Sequence, residues 1–340
     1  PDRRVYKGRA VVLGDVIRYL HSGELAKQPV LEVGEVAALE EVRAVLAWAC
    51  LNGFPIEQVD LENAYLTAPF VDATGVRYPH FLRLPWSLVK LLPEHLRPPP
   101  EMADPVFPMM RAVYGHPLSG HIFIAKLKRF LLAKGFSLLP GTSSVYVRGE
   151  VMLAAYVDDL QAAGPADQLR LFWSELGREY NFKAEPTPCS EFLGVSYVDR
   201  SKGDVSEFEL CLEDYIRDTV SEFEKLWGVT VAPSRSPGID NIRCSAASQG
   251  VKTPAAQVHN VQVLVGRLLW IGRTCRPDIM HLASSFGSRV ASWGKDCDRE
   301  LERCMGYLSL TASRGLVFRW DRSLAGRSFC PDLFSDSDWS

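Results

Sequence analysis

Residues 151–164 read VMLAAYVDDLQAAG, an apolar run that ends in Asp158-Asp159 and turns apolar again at once. A second apolar run, IEQVD at 56–60, also closes on an aspartate, Asp60. An isolated Asp-Asp pair is usually a solvated turn, because Asp forms turns readily and charged side chains are mostly exposed. A carboxylate held among apolar neighbours is different: it costs several kcal/mol unless it is neutralised, paired or bound to a metal. If the strand at 56–60 lies beside the 158–159 hairpin, three carboxylates meet at one end of a sheet. Such oxygen donors suit Mg²⁺. Two ions about 3.5–4 Å apart form the clamp used for in-line phosphoryl transfer, one lowering the pKa of an attacking hydroxyl and one holding the leaving pyrophosphate.

That chemistry needs a rigid sheet. SSVYVRG and VMLAAYV form two β-rich runs around Arg148-Gly149-Glu150, and EFLGVSYV at 191–198 reads as another strand. Between them, 117–136 places Ile122, Phe123, Leu127, Phe130 and Leu131 at helical spacing, with Gly135 as a stop. PADQLRLFWSELGREY (165–180) has Leu169, Phe172, Leu176 and Tyr180 on one helical face and Asp167 in the first turn. Strand, helix, hairpin, helix, strand describes an α+β layer: an antiparallel sheet with helices on one face. The proline-rich stretch 85–108 reads as an irregular excursion. From about 206 onward helical patterns dominate, with a polar break near 233–257 that reads as a boundary.

The bulk composition is that of a globular protein, with 47% hydrophobic and 23% charged residues. No stretch approaches the roughly 18 uncharged apolar residues of a membrane span, and PDRRVYKGRA is not a signal peptide. The eight cysteines are scattered without a CxxC, which favours reduced thiols over disulfides or a zinc site. Nor do the seven histidines stand at metal-binding spacing; His116 and His121 are five apart and do not share a helix face. A net charge of −3 does not favour a nucleic-acid partner, but its distribution does more. Residues 111–135 carry Arg111, Lys126, Lys128, Arg129 and Lys134 with no acid, and 261–320 carry nine basic residues against five acidic ones. Basic stretches in a neutral chain suit a phosphate-binding groove, or else ordinary solvated helix faces.

YVDD at 156–159 inside an apolar hairpin resembles the polymerase signature of reverse transcriptases, and the block order resembles the Ty1/copia class of retrotransposon Pol polyproteins. QVDLENAYLTAPF (58–70) is similar to the family's first catalytic block. MMRAVYGHPLSGHIFIAKLKRFLLAKGFSLLPGTSSVYV (109–147) is similar to its leu-tyr-gly block, the following helix and the strand before the aspartates. Residues 191–223, 261–291 and 334–340 resemble the approach to the thumb, the block after it and the start of RNase H. Six blocks in the family's order cover most of the 340 residues.

The resemblance implies a right-hand polymerase: fingers and palm with the antiparallel sheet and YVDD hairpin over 1–205, a helical thumb over 206–245, a connection-like segment over 246–329, and the first residues of RNase H over 330–340. It makes Asp60, Asp158 and Asp159 the metal-binding catalytic triad for two Mg²⁺ ions, with Mn²⁺ as substitute. Lys7 and Arg9 match a basic pair that grips triphosphate oxygens, or are solvated strand charges. Tyr65 matches the aromatic under the incoming sugar that excludes a 2′-hydroxyl. Tyr156 would pack near the primer–template end, or is a core strand aromatic, and Gly194 falls in a primer-gripping segment, or is a bulge glycine. Asp336 matches the first RNase H carboxylate, although RNase H activity is not expected of this stretch. The implied partners are an RNA template, a DNA primer, dNTPs and the protease, integrase and RNase H regions of a Pol polyprotein. No membrane is implied, and the implied location is a cytoplasmic virus-like particle, the nucleus or both. The implied activity is RNA-directed DNA synthesis, the alternative being an inactive remnant that still binds nucleic acid. Gly115-His116-Pro117-Leu118-Ser119-Gly120 departs from the family's gly-leu-lys-gln, and Glu62 and Asn63 also depart from its usual residues.

Overall fold

A computed structural model of the chain describes residues 11–14, 16–19, 21–26, 36–72, 74–102, 104–238 and 255–324. The chain divides into two compact units, Pro1–Val45 with Pro55–Pro188 and Leu46–Phe54 with Cys189–Ser340. Helix α1 (Leu39–Asn52) contributes residues to both groups.

The first unit then runs β1 (Ile56–Asp60), α2 (Ala64–Thr67), β2 (Phe81–Arg83), α3 (Trp86–Val89), β3 (Val106–Pro108), α4 (Pro117–Ala133), β4 (Ser137–Leu138) and β5 (Val145–Arg148). It continues with β6 (Val151–Tyr156), β7 (Asp159–Ala163), α5 (Ala166–Leu176) and β8 (Thr187–Pro188). Six of these strands form one antiparallel sheet in the order β4-β5-β6-β7-β1-β8, and β3, at the end of the stretch 85–108 that the sequence reads as irregular, pairs with β2 just before it. Leu153, Ala155, Leu160 and Ala162 of the central hairpin join Phe123, Leu127 and Leu131 of α4 and Leu169, Phe172 and Leu176 of α5 in one apolar cluster. Helix α4 ends where Gly135 takes a φ of 83°, as a C′ glycine does.

The N-terminus of α4 is built on a histidine pair that chain spacing does not reveal. His116 Nδ1 accepts from the Leu118 N–H at 3.2 Å, and its Nε2 lies 2.9 Å from His80 Nδ1. An accepting Nδ1 carries no proton, so the neutral His116 ring donates from Nε2 to His80. Burial, then the neighbouring His80, push the His116 pKa down to about 4. A depressed histidine pKa means that the unfolded chain takes up the proton first, so stability is lost as pH falls from about 6.5 toward 4. We expect on the order of 3 kcal/mol of this loss to vanish in His116→Asn, which keeps a capping side chain but does not titrate. Urea unfolding of both proteins at pH 7 and pH 4.5 checks it; equal acid losses would show that the pair is not responsible.

The second unit contains β9 (Glu191–Phe192), β10 (Val195–Asp199), β11 (Val205–Cys211), α6 (Glu213–Trp227), α7 (Ala255–Thr274), α8 (Met280–Arg289), α9 (Lys295–Leu310) and β12 (Leu316–Asp321). Its strands form a separate sheet in the order β12-β11-β10-β9. One expectation is corrected here. EFLGVSYV is not one strand: Leu193 and Gly194, at φ 52° and 74°, turn the chain between β9 and β10, and both belong to this second sheet. The residues beside β1 are Thr187 and Pro188 of β8 instead. Helices do dominate after 206, as expected, with β11 and β12 paired beside them from Val205↔Asp321 to Leu210↔Leu316.

Five of the nine basic residues of 261–320 are paired with acids of the same chain, although only Arg276 among the nine is buried. Arg276, 1% exposed, binds Asp278 through Nε and Nη2 and Thr311 through Nη1 and Nη2, while the Tyr307 hydroxyl donates to the same Asp278 at 2.6 Å. Arg267, Arg289, Arg299 and Arg319 pair with Glu222, Glu300, Asp296 and Glu207. Cys50, Cys189, Cys211, Cys275, Cys297 and Cys304 are all free thiols, and no described helix is long and apolar enough to cross a membrane.

Candidate active site

The hairpin β6–β7 turns on Val157 and Asp158, with Tyr156 and Asp159 as its last facing pair. Small buried residues let it sit at the centre of the sheet: Ala154, Ala155, Ala162 and Ala163 are at most 4% exposed. The tight turn forces Val157 to a φ of 55°, a left-handed conformation that a β-branched residue adopts only at a cost of about 1–3 kcal/mol. β1 lies antiparallel to β7 with Asp60 directly opposite Asp159, and the Leu61 N–H donates to the Asp158 carbonyl at 2.9 Å. Directly opposed residues carry Cβ atoms about 4.5–5.5 Å apart, so two like charges here repel. The sheet thus brings Asp60, Asp158 and Asp159 to one place.

Electrostatics follow from that crowding. The Asp159 pKa is pushed up to about 6 by burial first, then by Asp60 and Asp158, against the opposing pull of Lys183. Asp60 Oδ1 is buried without a hydrogen-bond partner, while Oδ2 holds the Lys183 ammonium. The Lys183 N–H also donates to the Asp60 carbonyl at 2.9 Å. Lys183 stands in NFKAE after α5, and no motif in the sequence reading marked it. Hard oxygen donors, mutual repulsion and an orphaned oxygen fit a divalent cation in their donor chemistry. As they stand, with the ammonium on Asp60, no group of three or more metal-ligating side chains among the described residues is arranged to hold one.

Tyr65 sits on the single turn α2, which follows Asn63 in a left-handed conformation at φ 51°. Its ring packs on Tyr114 with centroids 4.8 Å apart and edge-on to Phe123 at 6.0 Å. A Cβ placed on Gly120 would stand 3.7 Å from the Tyr65 hydroxyl, an ordinary contact, so α4 passes close to the tip of the ring. The carbonyl ending the turn, that of Thr67, accepts from Arg111 Nη1 at 2.9 Å and Lys126 Nζ at 3.4 Å. Lys126 also pairs with Glu179 at 2.9 Å and lies over the Tyr180 ring. Two of the five basic residues in 111–135 therefore brace the Tyr65 turn.

Tyr156 is 38% exposed beside the turn of the hairpin rather than in the core. Gly194 is in the second unit, in the turn between β9 and β10. Lys7, Arg9 and Asp336 lie outside the described residues.

The hairpin thus holds two carboxylates at its turn, and the third stands on the neighbouring strand β1. Residues 4–232 match the reverse transcriptase (RNA-dependent DNA polymerase) family, and the chain belongs to that family. Among its relatives, the retrovirus-related Pol polyprotein from transposon RE2 of Arabidopsis thaliana is 23% identical over 304 residues, which cover 88% of this chain and 19% of that protein. The corresponding polyprotein from transposon RE1 matches equally. A putative transposon Ty5-1 protein of Saccharomyces cerevisiae is 27% identical over 242 residues, 67% of this chain and 72% of its own length. The chain spans about a fifth of the length of the two Arabidopsis polyproteins. The expected kinship with Ty1/copia-type transposon Pol polyproteins is borne out.

Proposed function

We propose that the chain is the RNA-directed DNA polymerase portion of a Ty1/copia-type Pol polyprotein, joining dNTPs to a primer 3′-hydroxyl on an RNA template. The observation that carries this reading is the register of Asp60 opposite Asp159, with Asp158 tied to the same strand by the Leu61 N–H. In this reading the six-stranded sheet is the palm, and the segment from β11 through α6 leads into the thumb. Asp60, Asp158 and Asp159 would hold two Mg²⁺ ions, which supply Lewis acidity toward the hydroxyl and charge neutralisation at the triphosphate. Tyr65, braced by Tyr114 and by the cations on Thr67, is the wall beside the sugar. Tyr156, exposed beside the hairpin turn, would meet the primer–template end. Lys7 and Arg9 would grip the triphosphate, and Gly194 would contact the primer strand.

Primer extension with purified chain on poly(rA)/oligo(dT) in Mg²⁺ or Mn²⁺ tests the proposal, and the expected result is metal-dependent dTMP incorporation. Failure to extend in either metal, with template binding retained, would favour the remnant reading instead. The loss of the family's lysine and glutamine from the Gly115–Gly120 block is the observation on that side.

A further inference from the structure

We propose that Lys183 is a built-in counter-cation of the carboxylate site, holding Asp60 when no metal is bound and giving it up when a divalent ion binds. This rests on the carboxylates being the metal site, as proposed above.

Three observations on this chain lead to it. First, the Lys183 ammonium is on Asp60 Oδ2 while the other oxygen of the same carboxylate is buried and unpartnered, so Asp60 is only half satisfied. Three acids at the end of one sheet need positive charge, and one ammonium supplies a single unit where each divalent ion brings two. Second, the lysine is delivered by the fold. Its own N–H is bonded to the Asp60 carbonyl at 2.9 Å, and the Glu62 N–H is bonded to the Asn181 carbonyl at 2.8 Å. These two backbone bonds lace 181–183 alongside the end of β1, so the ammonium reaches Asp60 from a fixed base. Third, it has somewhere to go. Lys183 lies on the rim of an open hollow of about 920 Å³, and the exposed carboxylates of Glu62 and Glu185 line the same hollow. The side chains of Lys183 and Asp60 are 43% and 38% exposed, so exchange with solvent ions is not blocked.

A lysine that occupies an oxygen of the metal site must weaken metal binding while it steadies the empty site. Removing it should therefore do two opposite things. Lys183→Met keeps the length of the side chain and removes the charge; Lys183→Arg keeps the charge. Titrating Mn²⁺ into the full chain without nucleic acid or dNTP, followed by calorimetry or by the loss of free-ion paramagnetic signal, reads affinity independently of turnover. Lys183→Met should bind Mn²⁺ on the order of tenfold more tightly than wild type, about 1.4 kcal/mol, and Lys183→Arg should stay close to wild type. In the absence of metal Lys183→Met should melt at a lower temperature, and saturating Mn²⁺ should close that gap, because the ion then stabilises the folded state. A purely structural lysine would lower the melting point without tightening metal binding. Equal or weaker Mn²⁺ binding by Lys183→Met would overturn the inference. Adding Asp159→Asn to Lys183→Met locates the failure: if the double variant loses Mn²⁺ binding, the carboxylates are the metal site and only the role of Lys183 is wrong. If Mn²⁺ binding is indifferent to Asp159→Asn, the site reading itself has failed, and the inference with it.

Discussion

Asp159→Asn is expected to lower primer extension by about 10³-fold or more while the chain stays folded and binds template. Removing one carboxylate from a two-metal clamp deletes charge stabilisation that is realised in the transition state, which is worth several kcal/mol. The same substitution should stabilise the metal-free protein. The Asp159 pKa is raised to about 6 in the folded state, so the folded chain holds a proton that the unfolded chain releases, and stability declines as pH rises through roughly 4 to 6. At pH 7 the ionised group is a burden of about 1–2 kcal/mol after allowance for solvent screening, and asparagine relieves it. The gain should fade as pH falls toward 4, where the wild-type carboxyl is itself neutral. Extension assays and urea unfolding at pH 7 and pH 4.5 give both readings. An Asp159→Asn variant that extends primers near the wild-type rate would end the assignment.

Tyr65→Ala should cost sugar discrimination, raising ribonucleotide relative to deoxyribonucleotide incorporation by on the order of 10²-fold. A pocket rejects an added hydroxyl only where a wall fills its place, and the Tyr65 ring is held as a wall from several sides. Tyr114 at 4.8 Å and Phe123 at 6.0 Å fix the plane of the ring. Arg111 and Lys126 anchor the end of its helical turn. Tyr65→Phe keeps the ring and should leave the ratio nearly unchanged. The measurement is the ratio of rNTP to dNTP incorporation in the three proteins, and a ratio that is the same in the alanine variant removes Tyr65 from this role.

Much of the site was legible because its signals are local. An apolar run that ends in acid is visible within ten residues, and so are the Pro117 start and Gly135 stop of α4. The same local view misled at 191–198, where apolar alternation reads through Leu193-Gly194. A strand and a two-residue hairpin share that pattern until the backbone shows φ values of 52° and 74°. It also missed β12, whose partner strand β11 lies more than 100 positions away. The histidine pair and Lys183 were hidden for the same reason. His80 meets His116 across 36 residues, and Lys183 meets Asp60 across 123, distances for which helix and strand periodicity provide no rule.

The sequence by itself determined which side chains are candidates for the chemistry: Asp60, Asp158, Asp159 and Tyr65 are identities and spacings along the chain, and no folding step can alter them. Only the tertiary structure decided the state those groups are in. The register of β1 against β7 sets Asp60 facing Asp159, the loop after α5 sets Lys183 on Asp60, and the turn of α2 sets Tyr65 between Tyr114 and Phe123. Charge interactions and desolvation depend on distance and burial, which are properties of neighbours in space. The raised proton affinity of Asp159 and the ammonium on Asp60 are therefore consequences of packing, although every residue involved was present in the sequence from the start.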